Sequence, residues 1–138
     1  MATPYSEIDD MFLNDIKDET FLDFSDEERE MILNDLRRKA ITRFKACKKN
    51  LYDRDDNARQ FNENLTEEEK FIIATCMRKY WLNDKIYNLE LLKQRMSTKD
   101  WKLSSQSMHL LRLITLSQEL DKEISKMIVD YTVYSAGK

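Results

Sequence analysis

The residues that could carry chemistry are few, and each can be weighed by its spacing. Asp53, Asp55 and Asn57 stand at alternate positions, as do the first ligands of an EF-hand calcium loop. The later positions do not fit. Ala58 occupies the place of the glycine that makes the sharp turn, and Asn64 that of the bidentate glutamate. The stretch therefore reads as a solvated acidic loop. His109 is the single histidine, which excludes zinc sites built on paired histidines. A Glu-x-x-His iron site is excluded too, because Gln106 stands where the carboxylate is needed. Ser-His-Asp catalysis would also have to use His109, and no nucleophile sits in an elbow-like context. Cys47 and Cys76 share no close spacing and read as small core residues in a reducing compartment. Asn64-Leu65-Thr66 has the form of a glycosylation acceptor, but Thr66 is better used as a helix cap. No catalytic residue, cofactor or metal ligand is assigned, and the chain reads as a non-enzyme.

What remains is the chemistry of contact. The basic run from Arg37 to Lys49 places Arg38, Lys45 and Lys49 on one side of a helix spanning 37–49. That face is the candidate nucleic-acid surface, although a solvated or partner-facing helix is the reading preferred. Lys99, Trp101 and Lys102 lie in a polar segment, where a tryptophan serves as a core plug or as an interface anchor. The net charge of −3 argues against a free nucleic-acid binder, whose footprint is basic.

The elements that must position these groups follow from composition. The 138 residues include one glycine and one proline, at Gly137 and Pro4. Average usage is about 7% Gly and 5% Pro. A glycine-rich phosphate cradle is thereby excluded, and a sandwich or barrel built on Asn-Gly or Asp-Gly hairpins is disfavoured. The expectation is an all-α chain, one domain over 1–138, folded as a bundle of four to five helices with a long C-terminal helix. No apolar run approaches the roughly 20 residues of a membrane span, and the acidic start does not read as a secretory leader. The expected setting is soluble and cytoplasmic.

Helix starts are marked locally. Thr3 before Pro4 reads as an N-cap, with Tyr5, Ile8, Phe12 and Ile16 forming one apolar face that ends near Asp18 to Thr20. Phe21, Leu22 and Phe24 then read as a connector pinned to the core. Ser25 with Glu28, and Thr66 with Glu69, are capping boxes. The second helix is expected to bury Leu33, Leu36, Ala40, Phe44, Cys47 and Leu51, with Lys48 and Lys49 in its last turn. Tyr52 to Asn64 reads as an irregular loop. The helix opened by Thr66 should be central, running to Leu92 or breaking near Asn83 or Asn88. After a second interruption at 97–107, ten positions from Leu103 to Tyr134 step by three and four. Eight of them are apolar, which gives a heptad-like seam. Such a seam packs on its own bundle, or its distal end outreaches the domain to meet another chain.

Charge is blocky. Residues 1–30 carry eleven acids and two bases, and 31–50 one acid and seven bases. Residues 51–69 return to seven acids against two bases, and 70–102 to three against eight. Alternation of this kind pairs within a bundle, or lets the acidic side of one molecule meet the basic side of an identical neighbour.

The opening TPYSEI, the Ser-Asp-Glu-Glu cap, KDWKLSSQSMHLL and a seam ending in Asp130-Tyr131 together resemble head–tail connector (adaptor, neck) proteins of tailed bacteriophages of Gram-positive hosts. The resemblance spans nearly the whole chain, on motifs that are not catalytic signatures. It implies an all-helical subunit of a homo-oligomeric ring, commonly of twelve copies, in the neck of the virion. Such a ring is assembled in the bacterial host cytoplasm. It docks on the portal protein, binds a stopper or tail-completion protein, and surrounds DNA without reading its sequence. Carried over by position, it assigns Met127, Tyr131, Val133 and Tyr134, with the tail 129–138, to portal docking. Lys99, Trp101, Lys102 and Leu103 fall to a partner or neighbour contact. The alternative is a small cytoplasmic regulator that binds nucleic acid or a partner protein through the basic helix 37–49.

Overall fold

The computed structural model describes residues 2–16 and 24–136. Five helices and three two-residue strands follow in the order β1 (Thr3–Pro4), α1 (Tyr5–Ile16), α2 (Asp26–Arg43), β2 (Arg54–Asp55), β3 (Gln60–Phe61), α3 (Glu67–Arg95), α4 (Thr98–Leu103) and α5 (Ser105–Ala136). The chain is mainly helical with a long C-terminal helix, as the dearth of glycine and proline predicts.

The N-caps expected at Ser25 and Thr66 both form, but only the one at α3 is a reciprocal box; at α2 the Glu28 carboxylate accepts from the Ser25 hydroxyl at 3.1 Å. The Ser25 hydroxyl accepts from the Glu28 N–H at the start of α2. At α3 the box is complete: Thr66 Oγ1 accepts from the Glu69 N–H, and the Glu69 carboxylate accepts from the Thr66 N–H at 2.8 Å. The helix that follows is unbroken through Asn83 and Asn88 to Arg95. Six consecutive residues, Ile72 to Met77, are buried, which requires neighbours on every side. Those neighbours are α1, α2 and α5, so α3 is the central element.

Thr3 departs from its expected role. It pairs with Phe61 in an antiparallel sheet of order β1-β3-β2, and its hydroxyl accepts from the Leu65 N–H and donates to the Glu63 carbonyl, both at 2.9 Å. A long-range partner has taken the side chain that local sequence assigned to capping α1. Of the first helix, Tyr5, Ile8 and Phe12 are buried as their spacing predicts. Its expected last residues, with Phe21 and Leu22, lie outside the described residues.

The second correction is the end of α2, which stops at Arg43 and does not reach Lys49. Phe44 leaves helical geometry (φ −93°, ψ 56°) and drives its ring edge-on against Tyr131, with centroids 5.1 Å apart. Burial of that ring decides the boundary, and Leu51 reaches the core from the irregular chain beyond. A third difference is the hairpin within 52–64. No glycine supplies its turn. Arg59 takes the left-handed backbone (φ 56°), and Asp55 Oδ1 accepts from the N–H groups of Asn57 and Ala58.

The seam of α5 turns inward on α3. Leu110, Leu120, Ile124 and Tyr131 are buried, whereas Leu103, Gln106 and Tyr134 are exposed. Three polar pairs fix the antiparallel register: Ser117 to Asn83 at 2.9 Å, Lys79 to Asp121 at 2.7 Å, and Tyr131 to Glu69 at 2.6 Å.

Candidate interaction surface

Helix lengths make the surface. At about 1.5 Å per residue, α1 and α2 span about 18 and 27 Å against about 44 Å for α3. They cover the first part of α3 and leave the rest paired with α5 alone. The main apolar cluster runs along α3 only as far as Met77, Tyr80 and Trp81. Beyond it, residues 83–117 form an arm of the end of α3, α4 and the start of α5. Trp101 and Leu110 are buried in it but stand apart from the main cluster.

The arm is apolar and basic. Six of the twelve exposed large apolar side chains among the described residues fall on it: Tyr87, Leu91, Leu92, Leu103, Met108 and Leu111. Leu103 is the most exposed of the twelve, at 77%. Over 83–117 there are six Lys or Arg and three Asp or Glu. A cleft of about 490 Å³ opens between α3, α4 and α5. Met96, Trp101, Leu110 and Ile114 line it, with Lys93 and Lys102 among its polar residues. Trp101 is thus a plug of the arm and one wall of its cleft, while Lys99, Lys102 and Leu103 are exposed around it.

The C-terminal residues divide. Val133 and Tyr134 are exposed, Met127 is partly buried against the core, and Tyr131 is 4% exposed. The Tyr131 hydroxyl donates to Glu69 Oε2 and accepts from the Lys48 N–H at 2.9 Å. Burial and the Glu69 carboxylate push the phenol well above its usual range. An expectation that Tyr131 is offered to a neighbour does not fit this placement. Burial alone would raise Glu69, but the Thr66 N–H, the Tyr131 hydroxyl and nearby Lys49 outweigh it and hold the carboxyl below its ordinary value. Cys47 donates to the same carboxylate at 3.5 Å, and burial pushes its thiol up to about 11. Cys76 is fully buried, its thiol pushed up to about 12 by desolvation. Neither thiol has thiolate character near neutrality.

Because α2 ends at Arg43, Arg38 does not share one helix face with Lys45 and Lys49, as an unbroken helix over 37–49 would have it. Arg37 is 2% exposed; it lies 3.3 Å from Asp9, donates to Glu30 at 2.8 Å and stacks 4.1 Å over the Tyr5 ring. Arg43 donates to Ser125 at 3.0 Å, and Lys49 to the Asn64 carbonyl at 3.0 Å. Arg38 is exposed on α2, while Lys45 and Lys49 lie beyond its end. The ion pair beneath is under tension. Burial raises the Asp9 carboxyl to about 6 although Arg37 draws it down. Asp9 Oδ1 and Arg37 Nε and Nη1 make no aligned hydrogen bond.

His109 is exposed on α5. Among the described residues no group of three His, Cys, Asp or Glu is placed to hold a metal ion, and no helix is long and apolar enough to cross a membrane. Asp53 and Asp55 serve the hairpin: Asp53 accepts from the Asn62 side chain at 2.9 Å, and Asp55 holds the turn.

Sequence reasoning singled out none of Tyr87, Leu91, Met108 and Leu111, and named Leu92 only as a possible helix end. The available signal was length, since no preceding helix is long enough to cover them. Comparison with protein-family models, with curated proteins and with solved structures finds no match.

Proposed function

We propose that the chain is a structural interaction subunit, the head–tail connector of a tailed bacteriophage. In this reading it sits in a ring of identical copies between the portal and the tail-completion proteins. The observation that carries it is the arm. A hairpin standing clear of the core concentrates half of the exposed large apolar side chains and a surplus of positive charge. Surface of this kind is usually covered by another protein. Exposed Val133 and Tyr134 at the opposite end of α5 supply a second contact, which suits a component held between two neighbours. Their assignment to the portal, and that of Lys99, Trp101, Lys102 and Leu103 to a partner or neighbour contact, rests on the resemblance.

The regulator reading has less support, because Arg38, Lys45 and Lys49 are spread over a helix and the irregular chain after it. The test is decoration of purified portal assemblies, viewed by negative-stain microscopy. Since Tyr131 belongs to the core, substitution is preferred to deletion of 129–138. The full chain should decorate the portal, and Val133→Glu with Tyr134→Glu should abolish decoration without loss of helix content. A wild-type chain that leaves portals bare overturns the reading.

A further inference from the structure

We infer that two copies of this chain dock head to tail, with Met31 of one copy seated in the arm cleft of the next. The inference rests on the reading of the chain as an assembly subunit and names the contact between subunits. Met31 is a knob. It is 73% exposed on α2 and flanked one helical turn away by Glu27 and Asp35. The surrounding stretch 26–35 carries five acids and one base; Asp26, Glu30 and Asp35 are ion-paired within the chain, to Arg29, to Arg37 and Arg59, and to Lys39, so its outward charge rests on Glu27 and Glu28. With Tyr5, Glu27, Glu30, Asn34 and Asp56 it borders a shallow hollow beside the small sheet. That patch lies beside the hairpin that precedes α3, and the arm cleft lies where α3 ends.

The two surfaces are opposite in net sign. The cleft has apolar walls in Met96, Trp101 and Leu110, and its charged lining is Lys93 and Lys102 against the single acid Glu90. A methionine is the side chain best able to fill an irregular apolar hole, because its thioether is unbranched and polarisable. Opposite charges around it favour one orientation and penalise like-to-like pairing. Because the knob and the cleft are different surfaces of the chain, the contact is heterologous, and it propagates from copy to copy until a ring closes.

The experiment uses the full chain without portal. Sedimentation at low salt and high protein concentration should show self-association that weakens as salt is raised. Lys93→Glu with Lys102→Glu, and separately Glu27→Lys with Asn34→Lys, should each weaken it at least about tenfold. Mixing the two variants should restore association, because the reversed cleft then meets the reversed face. Circular dichroism and unchanged melting show that these exposed substitutions leave the fold intact. A wild-type chain that stays a single subunit, reversals without effect, or a mixture that does not recover each overturns the contact. Portal decoration is scored separately, so its loss with self-association intact counts against the connector reading and not against this one.

Discussion

Tyr131 donates a 2.6 Å hydrogen bond to the buried carboxylate of Glu69, joining α5 to the first turn of α3 across 62 residues. The carboxylate serves twice, since it also completes the capping box at Thr66. Tyr131→Phe leaves it one donor short and deprives the Lys48 N–H of its acceptor. The expected cost is about 1–3 kcal/mol in urea unfolding. Tyr134→Phe, at an exposed ring, should stay within about 0.5 kcal/mol of wild type.

Arg37 is the largest fully buried side chain and neutralises Asp9 and Glu30. Arg37→Met strands the Asp9 charge and should cost about 3–5 kcal/mol. Adding Asp9→Leu should return much of that loss. Additive losses in the double mutant would show that the two charges do not depend on each other.

The same pair gives a pH signature. Asp9 has a folded value of about 6, above the ordinary 3.8, so between those values the native state binds the extra proton. Its contribution to stability is therefore greatest below about 4 and declines as pH rises to about 6, at up to about 1.4 kcal/mol per pH unit. Glu69 and Asp121 are shifted down, and their contributions fade in the opposite sense as acid protonates them. Subtracting the stability curve of Asp9→Asn from that of wild type should isolate a term falling from pH 4 to 6. A flat difference would contradict the assignment.

The arm should behave as a satellite of the body. Trp101→Ala empties its plug without touching the main cluster. Amide exchange across 96–114 should accelerate, while Ile72 to Met77 keep the protection of the global fold. Equal acceleration in both would show a single cooperative unit.

Thr66→Ala should cost about 1 kcal/mol or more, and more than Ser25→Ala. The Thr66 cap orients buried Glu69, whereas the Ser25 cap is exposed and its loss can be made good by water. Chemical denaturation of the two variants under one buffer checks the order.

Legibility followed the range of the deciding interaction. The Ser25 and Thr66 caps and the central position of α3 were readable because each depends on residues within a turn or on a dense apolar stripe. Thr3 was misread because its partners, Glu63 and Leu65, are about 60 residues away. The end of α2 was misread because the Phe44 ring answers to Tyr131, and helix propensity does not encode that partner. The hairpin escaped notice because its left-handed position is filled by Arg59. At the candidate surface, Lys99, Trp101 and Lys102 were named for their polar segment, and Leu103 entered through the resemblance. The apolar remainder of the arm shows only once the helices have been measured against one another.

The three polar pairs between α3 and α5 have a mechanical consequence. A heptad slip would slide one helix about 10 Å past the other and break all three at once. The arm therefore cannot creep along its partner helix. A load that slid α5 along α3 would have to break the contacts at Asn83, Lys79 and Glu69 together.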